Sequence, residues 1–302
     1  MSTNESEYVF VGMGGWELPS FYGTFYPAKP LHGFRKLEFY SAFFDVVEVN
    51  ATFYTTSISP AQTTRWIKEV SGNPKFLFAV KLFRGFTHSF DATQQDLLAI
   101  QRMIEPLKKS DKLVGIVVQF PTSFTRTKEN LEHLAKLRSL FPNEHLILEM
   151  RHRSWDSDEF YSFCNEKNLI VANNDLPAIE PHIPFQTKVW NGIAYFRMMG
   201  RNAKAWNDFK SGERYAYCYS DAELQELANN IINIAPKTKR AYVIFHNDTH
   251  VDSLANGMKL KHLLDPQKKL FAPPTLLAKF PHLQSICEPM QEENLFSSLK
   301  DK

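Results

Sequence analysis

Eight short β-rich runs recur along the chain, and most of the intervals between them read as helices. In order the runs are YVFVGM, VVEVNATF, FLFAVK, GIVVQF, HLILEM, LIVANN, IAYFRM and AYVIFH. Helix-start chemistry marks several intervals. Ser59 stands before Pro60 and three residues before Gln62, and Asp91 stands three before Gln94. Ser220 has the same spacing to Glu223, which is the pattern of a capping box. NLEHLAKLRSL carries apolar residues at helical spacing, and SLANGMKLKHLL follows the last run. Strands joined through helices rather than tight hairpins run parallel. The pattern therefore predicts the α/β class and a single (β/α)8 TIM-like barrel. A doubly wound open sheet is the alternative, but nothing in the sequence marks its edge strands. A length of 302 residues suits one barrel. The barrel is expected over residues 8–290, between a flexible tail at 1–7 and a polar tail at 291–302. The proline-punctuated DPQKKLFAPPTLLAKFP segment is expected to wrap back over it.

Side chains alternate faces along a strand, so residues two apart share one. Glu48 and Asn50 lie opposite Val47 and Val49. Lys81 shares a face with Leu77 and Ala79, and Gln119 shares one with Val117. Glu149 and Arg151 share a face with Ile147, and Arg197 shares one with Tyr195. The sixth run ends with Asn173 and Asp175 on one face. Polar residues thus gather at the C-terminal ends of the faces that point into a barrel, where barrel enzymes build their sites. An isolated buried charge costs several kcal/mol, so such convergence requires mutual pairing, solvent or a ligand.

A formal net charge of +2 gives no reason to expect a nucleic-acid or membrane partner. The opening MSTNESE lacks the basic and apolar regions of a signal peptide, and no run approaches the length of a membrane span. Three cysteines without a CxxC suggest reduced thiols, so a cytoplasmic location is expected.

Nine motifs, in order, resemble the YecE-like family, catalogued as domain-of-unknown-function family 72. They are GMGGW (12–16 within its tract), TFYP, FFDVVEVNATFY, FLFAVKLFRGFTH, VVQFP, EMRHRSW, NNDLP, YFRMMGR and FHND. The resemblance covers nearly the whole chain and implies a TIM barrel, in agreement with the strand count. It implies no activity, because the sugar-isomerase-related label carried by the family rests largely on fold analogy. Two positions depart from the family pattern: Met199 replaces a histidine before Gly200, and His246 replaces an asparagine after Phe245.

The chemistry these residues suggest is general acid–base catalysis on a small sugar-like or anionic substrate, of isomerase or lyase type. Glu149 is the expected base, with Glu48 or Asp175 as partner acid and Lys81 as a further catalytic group, able to form a Schiff base if desolvated. Arg151, Arg197 and Lys81 are expected to bind the anionic group, and His152 is a further substrate-binding candidate. Asn50, Gln119 and Asn247 would orient hydroxyls, Asp248 and His88 are further substrate-binding candidates, and Tyr54 and Trp155 would stack on the substrate. Each assignment has a structural counterpart. Glu149 with Arg151, or Glu48 with Lys81, could be an ion pair that only closes the barrel. The aromatics could simply roof it. No cofactor is predicted. A divalent metal would draw on Glu149, Asp175, His246, Asp248 and His88, although no HExxH spacing is present. That ligand set frames the alternative of a metal-assisted phosphodiesterase or endonuclease-like barrel, and a non-catalytic ligand-binding barrel is the third reading.

Overall fold

The computed structural model describes residues 8–208 and 210–290. Nine parallel strand segments form its main sheet: β1 (Val9–Met13), β2 (Val46–Val49), β3 (Leu77–Lys81), β4 (Leu113–Gln119), β5 (Leu146–Glu149), β6 (Leu169–Val171), β7 (Asn173–Asp175), β8 (Ile193–Met198) and β9 (Arg240–Phe245). Their hydrogen-bonded order is β6-β5-β4-β3-β2-β1-β9-β8-β7. Only Ala172 separates β6 from β7; the first pairs with β5 and the second with β8. One stretch of chain therefore joins both ends of the order, and the eight runs become the eight staves of a nearly closed α/β barrel.

Eight α-helices accompany the strands among the described residues: α1 (Lys36–Ser41), α2 (Pro60–Glu69), α3 (Gln94–Lys109), α4 (Lys128–Leu140), α5 (Asp158–Glu166), α6 (Asp221–Ile234), α7 (Asp252–Leu264) and α8 (Pro274–Lys279). The capping boxes of Ser59 with Gln62 and Ser220 with Glu223 both form. The third box lies two residues later than the sequence suggested. Thr93 caps α3 and its partner is Asp96, whose carboxylate accepts from the Thr93 backbone N–H at 2.9 Å. Asp91 instead accepts from the Ser89 hydroxyl. Residues 176–192, between β7 and β8, contain no helix.

Strand register fixes which side chains enter the barrel. Arg197 pairs with Ile244, Ile244 with Gly12, and Gly12 with Val46, so these positions share the inner face with Glu48. Around the other side, Ala79 pairs with Gly115, Val117 with Ile147, and Ile147 with Ile170. Lower in the interior, Phe10 stacks on Tyr242 at 5.3 Å, and Tyr242 contacts Tyr195 at 6.0 Å. This packed apolar and aromatic floor leaves polar chemistry only at the top. Gly12 is required by closure, since a Cβ there would lie 1.7 Å from the Val46 carbonyl oxygen.

After the last barrel helix the chain forms β10 (Leu270–Ala272) and β11 (Cys287–Pro289), a separate two-stranded parallel sheet. Thr275 donates to the Thr24 carbonyl, which ties this segment back onto the loop after β1. No helix among the described residues is long and apolar enough to cross a membrane.

Candidate functional site

The top of the barrel interior has two tiers. The lower tier is an ion-pair network among fully buried groups. Arg197 projects from β8 and is 1% exposed; Glu48 and Glu149, on β2 and β5, are 0% exposed. The Arg197 guanidinium donates from Nε to Glu48 Oε2 at 3.0 Å and from Nη2 to Glu48 Oε1 at 2.5 Å. Its Nη1 pairs with Glu149 Oε2. Glu149 Oε1 also accepts from Arg151 Nε at 2.6 Å, and Glu48 Oε2 accepts from the Tyr195 hydroxyl at 3.0 Å. Two carboxylates and two guanidiniums thus neutralise one another. Burial would raise the Glu48 carboxyl, but Arg197 and His246 overcome it and hold the group well below the usual carboxylate range.

The upper tier is a cavity of about 660 Å³ at the C-terminal ends of the strands. Its cationic walls are Lys81, Arg151 and Arg197; Asn50, Tyr54, Tyr215, His246 and Asp248 complete its polar lining. Neither Glu48 nor Glu149 lines it. The expected base is therefore withdrawn beneath the guanidiniums, because a buried carboxylate needs them more than a substrate does. Glu48 is bound by Arg197 and not by Lys81, which corrects the alternative pairing drawn from the sequence. The Lys81 amine makes no ion pair or hydrogen bond with another described residue, and its Nζ sits 4.2 Å from the centroid of the Phe53 ring. Burial, aided by Arg197 and Arg151 against the opposing pull of Glu48, lowers its amine to about 7.

Near pH 7 the two imidazoles in and beside the cavity are neutral, while Asp248 is partly ionised. His246 occupies the space beside Gly14, where a Cβ would come within 2.2 Å of its Nδ1. Its Nε2 lies 3.6 Å from Glu48, and burial together with Arg197 lowers the imidazole to about 4. His88 is likewise lowered to about 4, by burial and then by Lys81 and two arginines. It meets the Thr87 hydroxyl at 2.8 Å and the Gln119 amide at 3.4 Å. Burial raises Asp248 to about 7. Asn50 donates to the Gly14 carbonyl at 2.6 Å and leaves its own Oδ1 buried without a partner. Tyr54, 70% exposed, stands at the rim.

His88 and Gln119 meet each other but are not among the cavity-lining residues, and four further expected site residues lie elsewhere. Asp175 pairs in register with Met198, whereas its neighbour Asn174 pairs with Arg197 and so takes the inward position. The continuous β6–β7 stave sets this phase: Ile170, Ala172 and Asn174 face in. Asp175 instead binds Arg201 Nε at 2.9 Å and accepts from Tyr219 at 2.5 Å on the outer side. Asn247 ties the Tyr217 carbonyl to Asn256. His152 caps a single 3-10 turn through the Ser154 backbone N–H. Trp155 is fully buried against Phe124 and Phe160 and donates to the Phe124 carbonyl at 2.6 Å. The five oxygen and nitrogen ligands considered for a metal do not converge, and no group of three such residues among those described is arranged to hold one. Asp175→Asn is expected to cost about 1–3 kcal/mol of stability through the lost partner of Arg201 while leaving binding in the cavity intact. Urea melts paired with ligand titration would check this; lost binding at unchanged stability would return Asp175 to the site.

Sequence reasoning missed Tyr215 and Asn174. Tyr215 comes from the long irregular excursion between β8 and α6, where no periodicity predicts direction. There it packs with Trp206 at 5.8 Å, and Trp206 in turn lies under Arg214 and Arg151. Burial would raise the Tyr215 phenol, but Arg151, Arg214 and Arg197 outweigh it and lower it. Asn174 was legible in principle, since its parity follows from Ile170 if the sixth run is read as unbroken.

A parallel α/β barrel with a charged network below a cationic cavity defines the class to which the chain belongs. Within that class the comparisons are specific. Residues 10–279 match the family described as "Protein of unknown function DUF72", and the chain is a member of that family. It is 30% identical to the UPF0759 protein YunF of Bacillus subtilis over 88% of this chain and 98% of that one. Among solved structures it is similar to a DUF72 family protein from Thermotoga maritima, with a TM-score of 0.75 and 30% identity over 86% of this chain and 100% of that one. A DUF72 family protein from Enterococcus faecalis gives a TM-score of 0.75 at 26% identity, over 85% of this chain and 95% of the other.

Proposed function

We propose that this protein is an enzyme acting on a small, anionic, sugar-like molecule by proton transfer, of isomerase or lyase type, with Lys81 as the central acid–base group. The observation that carries this reading is the unpaired Lys81 amine sharing one cavity with Arg151 and Arg197. The Glu48 and Glu149 carboxylates below are already neutralised, so an anion entering from above meets Lys81, Arg151 and Arg197, with Asp248, raised to about 7 by burial, as the acid in the lining. Arg151 supplies a planar fork suited to a carboxylate or phosphate. Lys81, titrating at about 7, can take a proton as the free amine and return it as the ammonium. Asn50 and Tyr54 offer a hydroxyl-binding amide and a stacking face. Relative to the sequence reading, the base moves from Glu149 to Lys81, and Glu149 becomes the group that orients Arg151.

A thermal-shift screen tests this. The panel holds sugar phosphates, sugar acids and short duplexes with and without abasic sites, each with Mn²⁺ or with chelator. A ligand at 100 times its dissociation constant adds about 2.7 kcal/mol, which moves the melting temperature by several degrees. Sugar phosphates or acids are expected to stabilise the wild type, and Arg151→Met is expected to remove the shift. Stabilisation confined to duplexes would overturn the reading in favour of nucleic-acid chemistry.

A further inference from the structure

We infer that Lys81 is a nucleophile that forms an imine with an aldehyde or ketone carrying a carboxylate or phosphate. This deepens the proposed function and rests on its placement of the substrate in the same cavity. Three geometric facts support it. Lys81 ends β3, so its side chain rises from the inner face at the mouth of the barrel. Its Nζ lies against the Phe53 ring and pairs with no acid among the described residues, which leaves the nitrogen free toward the 660 Å³ cavity. Arg151 and Arg197 line that cavity as well, placing anion-binding guanidiniums and the amine around one ligand. The charged and titratable groups that act on the amine are Arg197, Glu48 and Arg151; those on which it acts include His88 and His246. Burial is the larger effect and the two arginines add to it against Glu48, so the neutral amine needed for attack is well populated near pH 7.

The chemistry balances without a further reactant. The Lys81 nitrogen adds to the carbonyl carbon, giving a carbinolamine in which the C–N bond has formed and the oxygen is a hydroxyl. Loss of that hydroxyl with the remaining amine proton releases one water and leaves the C=N bond. The protonated imine then withdraws electrons from the adjacent carbon. This acidifies its C–H bond for isomerisation, or weakens its C–C bond for cleavage; with the Lys81 nitrogen held in the imine, the proton passes to and from Asp248, the carboxyl that lines the same cavity. One device therefore serves both reaction types in the proposed function, and the substrate class narrows to anionic carbonyl compounds.

Pyridoxal 5′-phosphate, an aldehyde carrying a phosphate, is a suitable probe. The whole protein would be exposed to it at pH 7, reduced with borohydride, digested and mapped by mass spectrometry. Lys81 is expected to be modified at least about tenfold faster than the exposed lysines, because its neutral fraction is far larger. Inorganic phosphate should slow this modification, and Arg151→Met should weaken the protection. Trace acetylation across a pH series would report the ionisation of Lys81 in the same samples. Modification of Lys81 at the rate of exposed lysines would overturn the imine. If acetylation then still places the amine near neutrality, the proton-transfer reading survives; if it titrates like a surface lysine, both readings fall.

Discussion

Replacing Lys81 by Met is expected to make the protein more stable at pH 7 while abolishing the proposed chemistry. The amine is lowered to about 7 in the folded chain, by burial first and then by Arg197 and Arg151. In the unfolded chain it titrates near 10.4. Between those values the unfolded state binds the additional proton, so the contribution of this group to stability rises as pH increases from about 7 to about 10. At pH 7 the folded state therefore carries most of the cost, which methionine removes. Because the amine borders a partly open cavity, the gain is expected to be about 1–3 kcal/mol rather than the full value of the shift. Urea melts of both proteins at pH 7 and pH 10 would measure it. The advantage of the variant should shrink at the higher pH. A variant less stable than the wild type at pH 7 would mean that the amine has a stabilising partner in solution, and the site assignment would fail with it. A residue retained at such a cost fits a functional role, since sites often sacrifice stability for chemistry.

The fold was legible because its signal is redundant. Eight runs of β-branched and aromatic residues separated by capped helices admit few parallel arrangements. The inner face was legible wherever an uninterrupted strand carried the alternation to its end, as for Glu48, Lys81, Gln119, Glu149 and Arg197. It failed where the phase was read from a strand's last residues alone: Asp175 was given the place that Asn174 takes. Past the strand ends, alternation has no force. His152 and Trp155 turn into a 3-10 cap and the core, and Asn247 turns outward to Asn256. Charge pairing was harder still. Glu48 could have met either Lys81 or Arg197, and only the stagger of β8 against β9 and β1, which brings the long Arg197 side chain across the interior, decides between them. Tyr215 had no sequence signal because its position depends on packing within an irregular segment.

Arg197→Met should be the most damaging single substitution in the site. Arg197 is the shared partner of two fully buried carboxylates, and among the described residues its removal leaves Glu48 with the Tyr195 hydroxyl at 3.0 Å and the His246 ring at 3.6 Å. Glu149 would keep Arg151. Breaking a buried pair by deleting one member costs about 3–5 kcal/mol, and a lysine would not restore the loss because it cannot donate in a planar fork to both acids. The pH dependence should also invert. In the wild type Glu48 is held well below its unfolded value, so its contribution is present above about 4.5 and is lost as pH falls through the lower folded value. Without Arg197 the same burial raises the carboxyl, the folded state takes up the additional proton, and the variant should gain stability as pH falls from 7 toward 5. Adding Glu48→Gln to Arg197→Met should recover part of the loss at pH 7 and flatten that slope. Denaturant melts of the three proteins between pH 5 and 8 would test the scheme. A single variant whose stability falls in parallel with the wild type over that range would show that Glu48 finds another cation, either His246, 3.6 Å away and relieved of the Arg197 charge, or Lys81. With Lys81 so engaged, the cavity would owe its anion affinity to Arg151 alone.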